Sequence, residues 1–335
     1  MRAMTLTAPG GLDRLRLTEQ PDPGEPKAGE IRVALHATSL NFHDYLVCSG
    51  KSPAADGRVP MADGAGIIEA IGEGVSDFAV GDHVVSCFFP DWHAGPPRVG
   101  DFKRVPGDGI DGFARDTVVL PATAFTKAPN GWSHKEASTI TTAGLTAWRA
   151  LVVDAGLKPG DTVLALGTGG VSIYALQIAH AMGAEVIVTS SSDEKLARAK
   201  EMGAAHVINY RREQNWGRKV LEITQGRGVD VVVEVGGPET LGQSLQAVRI
   251  GGHVALIGVL TGVSGDVPTA LLMAKQARLQ GLIVGSRQEQ EEFVRALETS
   301  GIRPIIDRTF GLEELADAFR HQETGDHFGK IAVSW

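Results

Sequence analysis

Cysteine is almost missing: Cys48 and Cys87 are the only two in 335 residues. Two thiols make no disulfide framework, and they read as reduced residues of a cytosolic protein. No apolar run is long enough to span a bilayer, so a membrane is not among the expected partners. The first ten residues, Met1-Arg-Ala-Met-Thr-Leu-Thr-Ala-Pro-Gly10, lack the long apolar core of a signal peptide, and a cytoplasmic location is expected. Basic residues are not in excess. Forty acids against 32 bases give a net charge of −8, which disfavours nucleic acid and anionic lipid and leaves a small-molecule substrate as the expected partner. Repeats of fixed period and low-complexity tracts are absent too. The hydrophobic share of 43 % and charged share of 21 % are those of an ordinary globular chain, long enough for two domains.

The texture of the chain changes near residue 127. Before it, short β-like runs alternate with turns: Ile31–Ala37 and Gly66–Ile71 read as strands, Gly72–Gly74 and Val80–His83 as turns. Residues 88–112, rich in Pro, Gly and Asp, read as a long surface loop that can cover a site. After Ala143 strands and helices alternate. Strands are predicted at Asp161–Leu166, Glu185–Thr189, His206–Ile208, Asp230–Glu234, His253–Ile257 and Gln280–Val284. Helices are predicted at Ser172–Met182, Asp193–Met202, 213–224, Glu239–Val248, Thr269–Arg278 and 289–300. Six strands with helical crossovers imply an α/β fold, a doubly wound parallel sheet covered on both faces. Residues 303–335 return to short mixed elements and are expected to fold back onto the first domain.

The most informative stretch is Leu164-Ala-Leu-Gly167-Thr168-Gly169-Gly170-Val171-Ser172. A strand runs into a glycine turn and the turn into a helix. Glycines let the backbone approach a pyrophosphate, and the helix start offers free N–H groups and the positive end of its dipole. Ser172 replaces the third glycine of G-x-G-x-x-G, so the strand–helix context carries the reading. About twenty residues on, where an NAD site carries an acid, this chain has Thr189-Ser190-Ser191-Ser192. Without that acid nothing repels a 2′-phosphate, Ser190 and Ser191 can donate to it, and Lys195 can add a positive charge. NADP(H) is therefore expected over NAD(H), with Asp193 as the one nearby opposing charge.

Seven motifs follow one another: Asn41-Phe-His-Asp44, Asp63-Gly-Ala-Gly66, Val80-Gly-Asp-His-Val84, Ala143-Gly-Leu-Thr-Ala-Trp148, Lys158-Pro-Gly-Asp161, Gly167–Val171 and Gly329-Lys-Ile-Ala-Val333. Through them nearly the whole chain resembles the medium-chain dehydrogenase/reductase superfamily, and within it the zinc-independent quinone oxidoreductase and zinc-type alcohol dehydrogenase-like branch. The resemblance implies a discontinuous GroES-like catalytic domain (1–127 and 303–335), a Rossmann domain (128–302) and an active site in the cleft between them. Zinc relatives place ligands where Asn41, Ala62 and Ala143 stand here, and an amide and two methyls lack the donors zinc needs. Their second, structural zinc lobe carries four cysteines where this chain has only Cys87. No metal is expected, since the spacing of His36, His43, Asp63, His83 and His93 matches no zinc pattern either. The resemblance also puts Tyr210 beside the adenosine 2′-phosphate, and Thr142 and Thr146 near the cofactor phosphates or ring. It puts the main chain of Gly258-Val259 and Val284-Gly285 at the nicotinamide edge, Lys330 at the pyrophosphate, and a homodimer across the last strand, Gly281–Gly285.

Without a metal to polarise a carbonyl, a quinone or an α,β-unsaturated carbonyl is the easier acceptor, because conjugation spreads the developing charge. His43 stands where zinc relatives carry the hydroxyl of a proton relay, and an imidazole there can deliver a proton near neutral pH. Asn41 is expected to hydrogen-bond the substrate oxygen and Asp44 to orient a neighbour, with water as the competing proton source. Trp92, His93 and Phe102 of the long loop are expected to shape the substrate pocket. Two other readings stay open: an alcohol dehydrogenase or aldehyde reductase on another substrate, and a catalytically silent NADPH-binding protein.

Overall fold

Buried and half-buried residues alternate along Glu30–Ser39, and this ten-residue strand organises a seven-stranded sheet. In the computed structural model, which describes residues 1–335, the chain forms two units: Met1–Leu145 with Val284–Trp335, and Thr146–Ile283. In the first, Glu30–Ser39 pairs antiparallel with Ala65–Ile71, Thr117–Pro121 and the closing strand Lys330–Ser334. Lys330–Ser334 in turn pairs in parallel with Ile306–Phe310, so the last 30 residues complete a sheet begun near residue 30. Gly66, within Ala65–Ile71, has a chemical reason: a Cβ there would lie 1.9 Å from the carbonyl oxygen of Ala34 on the neighbouring strand. Ile31, Val33, Leu35, Phe113 and Phe125 fill one core beneath the sheet. Met4, Leu6, Phe319 and Val333 belong to a second. Each such side chain contributes about 1.5–3 kcal/mol by leaving water.

A short helix, Phe42–Cys48, follows directly on the central strand. It begins at Asn41, whose N–H is taken by the carboxylate of Asp44 three residues on, a capping arrangement that fixes the entry of the chain into the helix. Residues 88–112 carry no helix or strand, but the loop is tied down. Trp92 and Phe89 are buried, and the N–H groups of Arg287 and Gln288 donate to the carbonyls of Trp92 and His93. The helices His134–Ser138 and Arg287–Ser300 also lie in this first unit.

The second unit holds six parallel strands in the spatial order His206–Asn209, Glu185–Ser190, Thr162–Leu166, Val229–Glu234, Val248–Leu256 and Arg278–Gly281. By chain position this is the 3-2-1-4-5-6 order of a dinucleotide-binding fold. The two middle strands are buried along their whole length, as strands covered by helices on both faces must be. Several boundaries differ from expectation: the fifth strand begins at Val248 rather than His253, and the first unit reaches Leu145 and resumes at Val284 rather than ending at 127 and resuming at 303. The last strand ends at Gly281; Leu282 still donates to the carbonyl of Leu256 on the neighbouring strand, and Val284 takes a left-handed φ of 47°, so the expected strand does not reach Val284. No helix is long and apolar enough to cross a membrane.

Candidate functional site

In the first unit a chain of buried polar groups joins three of the sequence motifs. Asp63 is fully buried. One of its carboxylate oxygens accepts from Ser39 Oγ at 2.5 Å, the other from Thr142 Oγ1 at 2.6 Å. The ammonium of Lys330 lies 3.5 Å from the same carboxylate and donates to Asn41 Oδ1 at 2.6 Å and to the carbonyl of Leu40 at 2.5 Å. Asn41 Nδ2 in turn donates to Asp44 Oδ2 at 3.0 Å and to the carbonyl of Ser39 at 3.3 Å, and Asp44 Oδ1 accepts from the N–H of Ala62 at 2.9 Å. Asp44 thus accepts from the backbone and side chain of Asn41 and from the backbone of Ala62.

Two expectations meet a different geometry here. Both amide hydrogens of Asn41 and its oxygen are spent inside the protein, which leaves no donor for a substrate oxygen. Lys330 has three acceptors around its three N–H bonds, all within this cluster, and none remains for a pyrophosphate.

Two carboxylates against one ammonium set the electrostatics. Burial, and then the Asp63 charge, push Asp44 up to about 6, against the pull of His43 and of the Ala62 and Asn41 donors. Burial holds Lys330 below the ordinary lysine range although both carboxylates oppose it. Because the carboxyl of Asp44 titrates higher in the folded than in the unfolded chain, its contribution to stability is full at acid pH and is lost as pH rises through about 6. The unfolding free energy of the wild type, relative to Asp44→Asn, should therefore fall by about 2 kcal/mol between pH 4 and pH 7. Urea titrations of both proteins across that range measure it, and parallel pH curves would contradict it.

His43, two residues beyond Asn41, sits in a different environment. Its ring lies 4.6 Å from that of Phe102 and 5.6 Å from that of Phe88, centroid to centroid. Its Nε2 is 3.2 Å from Asp108 Oδ2, an ion-pair distance not aligned as a hydrogen bond. Phe102 thus touches a candidate catalytic ring, whereas Trp92 is buried and donates its indole N–H to the carbonyl of Gly95. Sequence reasoning passed over Asp108, since nothing in spacing links it to His43. At the three positions where zinc relatives carry ligands, Asn41 is saturated, and Ala62 and Ala143 offer methyl groups. No group of three or more His, Cys, Asp or Glu side chains is arranged to hold a metal ion, so these residues do not fit a zinc centre.

In the second unit Gly167 takes a φ of 76° and Gly169 caps the helix Gly170–Ala181 without a side-chain cap. A Cβ on either glycine would meet no protein atom within 4 Å. The space before the turn is therefore open, and the first N–H groups of a twelve-residue helix face it without a side-chain acceptor. That is the form of a pyrophosphate cradle. Ser172 Oγ donates to the carbonyl of Leu166 at 2.6 Å, fixing the strand to its helix. Thr168 and Thr146 are buried.

Near the end of the second strand Ser190 is buried and its Oγ accepts from the N–H of Ser192, while Ser191 is more open. Lys195 stands in the first turn of the helix Asp193–Glu201. The backbone N–H of Tyr210 bonds the carbonyl of Ser190, and its ring is exposed. Asp193, the opposing charge, is paired with Arg212 and accepts from Asn209 Nδ2 at 2.8 Å. Arg211 is exposed beside Tyr210. These two arginines were missed, although their position directly after Tyr210 was readable. Deeper in the unit, the buried carboxylate of Glu234 accepts from the N–H groups of Gly236 and Gly237 and the hydroxyls of Thr240 and Ser244. Its own carbonyl accepts from Gly258, holding the Gly258-Val259 main chain in place. Gly285 follows the left-handed Val284 in the first unit; such strain in a β-branched residue costs about 1–3 kcal/mol and gathers at functional segments.

Residues 27–130 match the alcohol dehydrogenase GroES-like domain family and residues 170–299 the zinc-binding dehydrogenase family. A zinc-type alcohol dehydrogenase-like protein of Schizosaccharomyces pombe is 38 % identical over 331 residues, 96 % of each chain. The solved structure of an NAD-dependent alcohol dehydrogenase is 33 % identical with a TM-score of 0.90, covering all of both chains. A quinone oxidoreductase from Pseudomonas syringae pv. Tomato DC3000 is 27 % identical with a TM-score of 0.82, covering all of this chain and 99 % of that one.

Proposed function

Because this chain belongs to the medium-chain dehydrogenase/reductase superfamily and is an NAD(P)-dependent oxidoreductase acting on a small molecule, we propose that it is an NADPH-dependent, zinc-independent reductase of quinones or α,β-unsaturated carbonyls. The observation that carries this reading is the contact between Asn41 and Lys330. Where zinc relatives place a ligand, this chain has an amide whose oxygen is taken by the protein's own cation. The quinone oxidoreductase of similar fold supports the acceptor class.

When bound, NADPH supplies the hydride, and every other task falls to the protein. The N–H groups at Gly169–Val171 hold the pyrophosphate. Ser191, Tyr210 and Arg211 receive the 2′-phosphate, with Arg212 cancelling the charge of Asp193. Thr146 and Gly258-Val259 of the second unit serve the nicotinamide end. Asn41, Asp44 and Lys330 support the catalytic helix from within. His43 gives the proton that accompanies the hydride. The open side of the edge strand Arg278–Gly281 supports a homodimer as part of this proposal.

The test is NADPH oxidation by the purified protein across quinones, enals, saturated aldehydes and alcohols, with light scattering on the same sample. Turnover of conjugated acceptors at least about tenfold faster than of saturated aldehydes, by a dimer that needs no zinc, is expected. Zinc-dependent turnover, or NADPH binding without any turnover, would overturn the reading.

A further inference from the structure

The loop 88–112 brings one carboxylate to His43, and the way it does so is built rather than incidental. Asp108 sits in a tight turn. Its N–H donates to the carbonyl of Val105, and Gly107 and Ile110 close the turn around it. The turn is pinned to the segment that leads into Asp63: Gly112 donates to Val59 at 2.7 Å and Phe113 to Met61 at 2.9 Å. Backbone lies so close there that a Cβ on Gly107, whose φ is 85°, would come within 2.6 Å of Met61 N, and one on Gly112 within 2.2 Å of Met61 O. Met61 itself is held at a φ of 81°. Such packing fixes the Asp108 main chain against the motif beside the catalytic helix. Phe88 and Phe102 flank the imidazole and hold its plane. Only about a fifth of the His43 and Asp108 side chains is exposed, so their attraction is weakly screened.

We infer that Asp108 is the positioning residue of the reaction, holding His43 by Nε2 so that Nδ1 carries the proton delivered to the substrate. This rests on the proposed reductase reading. Nε2 is buried, lies 3.2 Å from the Asp108 carboxylate and makes no hydrogen bond to any other group, so the carboxylate is the charge that faces it. A carboxylate against one ring nitrogen sets the tautomer, so that when the ring carries two protons the other nitrogen is the donor. The balance is simple. NADPH loses a hydride to the β-carbon of the enone or to the quinone ring system, the electron pair moves to the carbonyl oxygen, and Nδ1–H of the imidazolium supplies one proton. The neutral ring regains its proton from water. Two carboxylates adjoin His43: Asp108 from the loop, and Asp44 from its own helix, whose charge His43 favours. The flanking phenylalanines bring none.

Asp108→Ala, Asp108→Glu, His43→Ala and the double variant Asp108→Ala/His43→Ala decide the matter, by kcat from pH 5 to 9 and by ¹⁵N NMR of the cofactor-free protein. Asp108→Ala should lower kcat about tenfold and move the basic limb of the pH profile to lower pH, with Asp108→Glu recovering much of both. His43→Ala should cost about 100-fold, and the double variant should be no slower than His43→Ala alone. The NMR spectrum should show His43 as the Nε2–H tautomer in the wild type and as a mixture in Asp108→Ala. An unchanged tautomer, or a kcat for Asp108→Ala within twofold of wild type on an unmoved profile, overturns the inference. A wild type that reduces none of the conjugated acceptors overturns the functional reading instead, and the tautomer still reports on the pair.

Discussion

Replacing Lys330 with methionine should lower the unfolding free energy by about 3–5 kcal/mol. Methionine keeps most of the volume and removes the charge. Asp63, with no exposed surface, and the nearly buried Asp44 would then share a pocket without a cation. Asn41 Oδ1 and the carbonyl of Leu40 would lose their donor at the same time, and buried acceptors left unmade cost about 1–3 kcal/mol each. The ammonium gains little by being there on its own account, since burial already holds it below the ordinary lysine range. The cost of the substitution is the cost of what it leaves behind. Two features separate this from simple cavity formation. The loss should shrink as pH falls toward 5, because the stranded carboxylates can then take up a proton. The double variant Lys330→Met/Asp63→Asn should recover part of it, as the two sites are in contact. Urea unfolding of the three proteins at pH 5 and pH 8 checks both. A loss under about 1 kcal/mol at pH 8, typical of a surface position, would show that the ammonium does not hold the cluster together.

The contrast between the two units explains what the chain made legible. The parallel strands announce themselves, because strands covered on both faces must be unbroken apolar runs, as in Asp230-Val-Val-Val-Glu234. The same rule misleads at Gly281-Leu-Ile-Val-Gly285, an equally apolar run of which only the first two residues bond the neighbouring strand before Val284 turns to a left-handed angle. Chemistry carried by the backbone was legible for the same reason. A glycine with positive φ between a strand and a helix leaves a local signature, and so does the lack of an acid at the end of the next strand. Chemistry carried by side chains was not. His43 meets Asp108 across 65 positions, Thr142 meets Asp63 across 79 and Lys330 meets Asn41 across 289, and no periodicity spans such gaps. Lysine is the instructive residue. An isolated Lys in a sequence reads as solvated or phosphate-binding, since lysine is almost never buried unpaired. The closing strand carries this one inward, where its partners come from two distant segments, Leu40-Asn41 and Asp63.

Introducing an acid at Ser191 tests the coenzyme reading most severely. Ser191→Asp should raise the KM for NADPH about 100- to 1,000-fold while leaving that for NADH unchanged or lower. The argument is one of sign. A 2′-phosphate brought beside a fixed carboxylate meets like-charge repulsion of several kcal/mol, and each 1.4 kcal/mol is a factor of ten. The ribose hydroxyls of NADH instead gain an acceptor. Ser191 is the right position because Ser190 is buried with its hydroxyl already accepting from the Ser192 N–H. Asp193 cannot perform this task in the wild type, since Arg212 and Asn209 occupy its carboxylate. Arg212→Ala should accordingly weaken NADPH through the freed aspartate, whereas Arg211→Ala should weaken it by removing a donor, by about tenfold for one charge-assisted hydrogen bond. Steady-state constants for both coenzymes with one acceptor distinguish the cases. If Ser191→Asp left the ratio of the two KM values unchanged, the phosphate would have to be read elsewhere, and the pairing of Asp193 with Arg212 would lose its functional meaning.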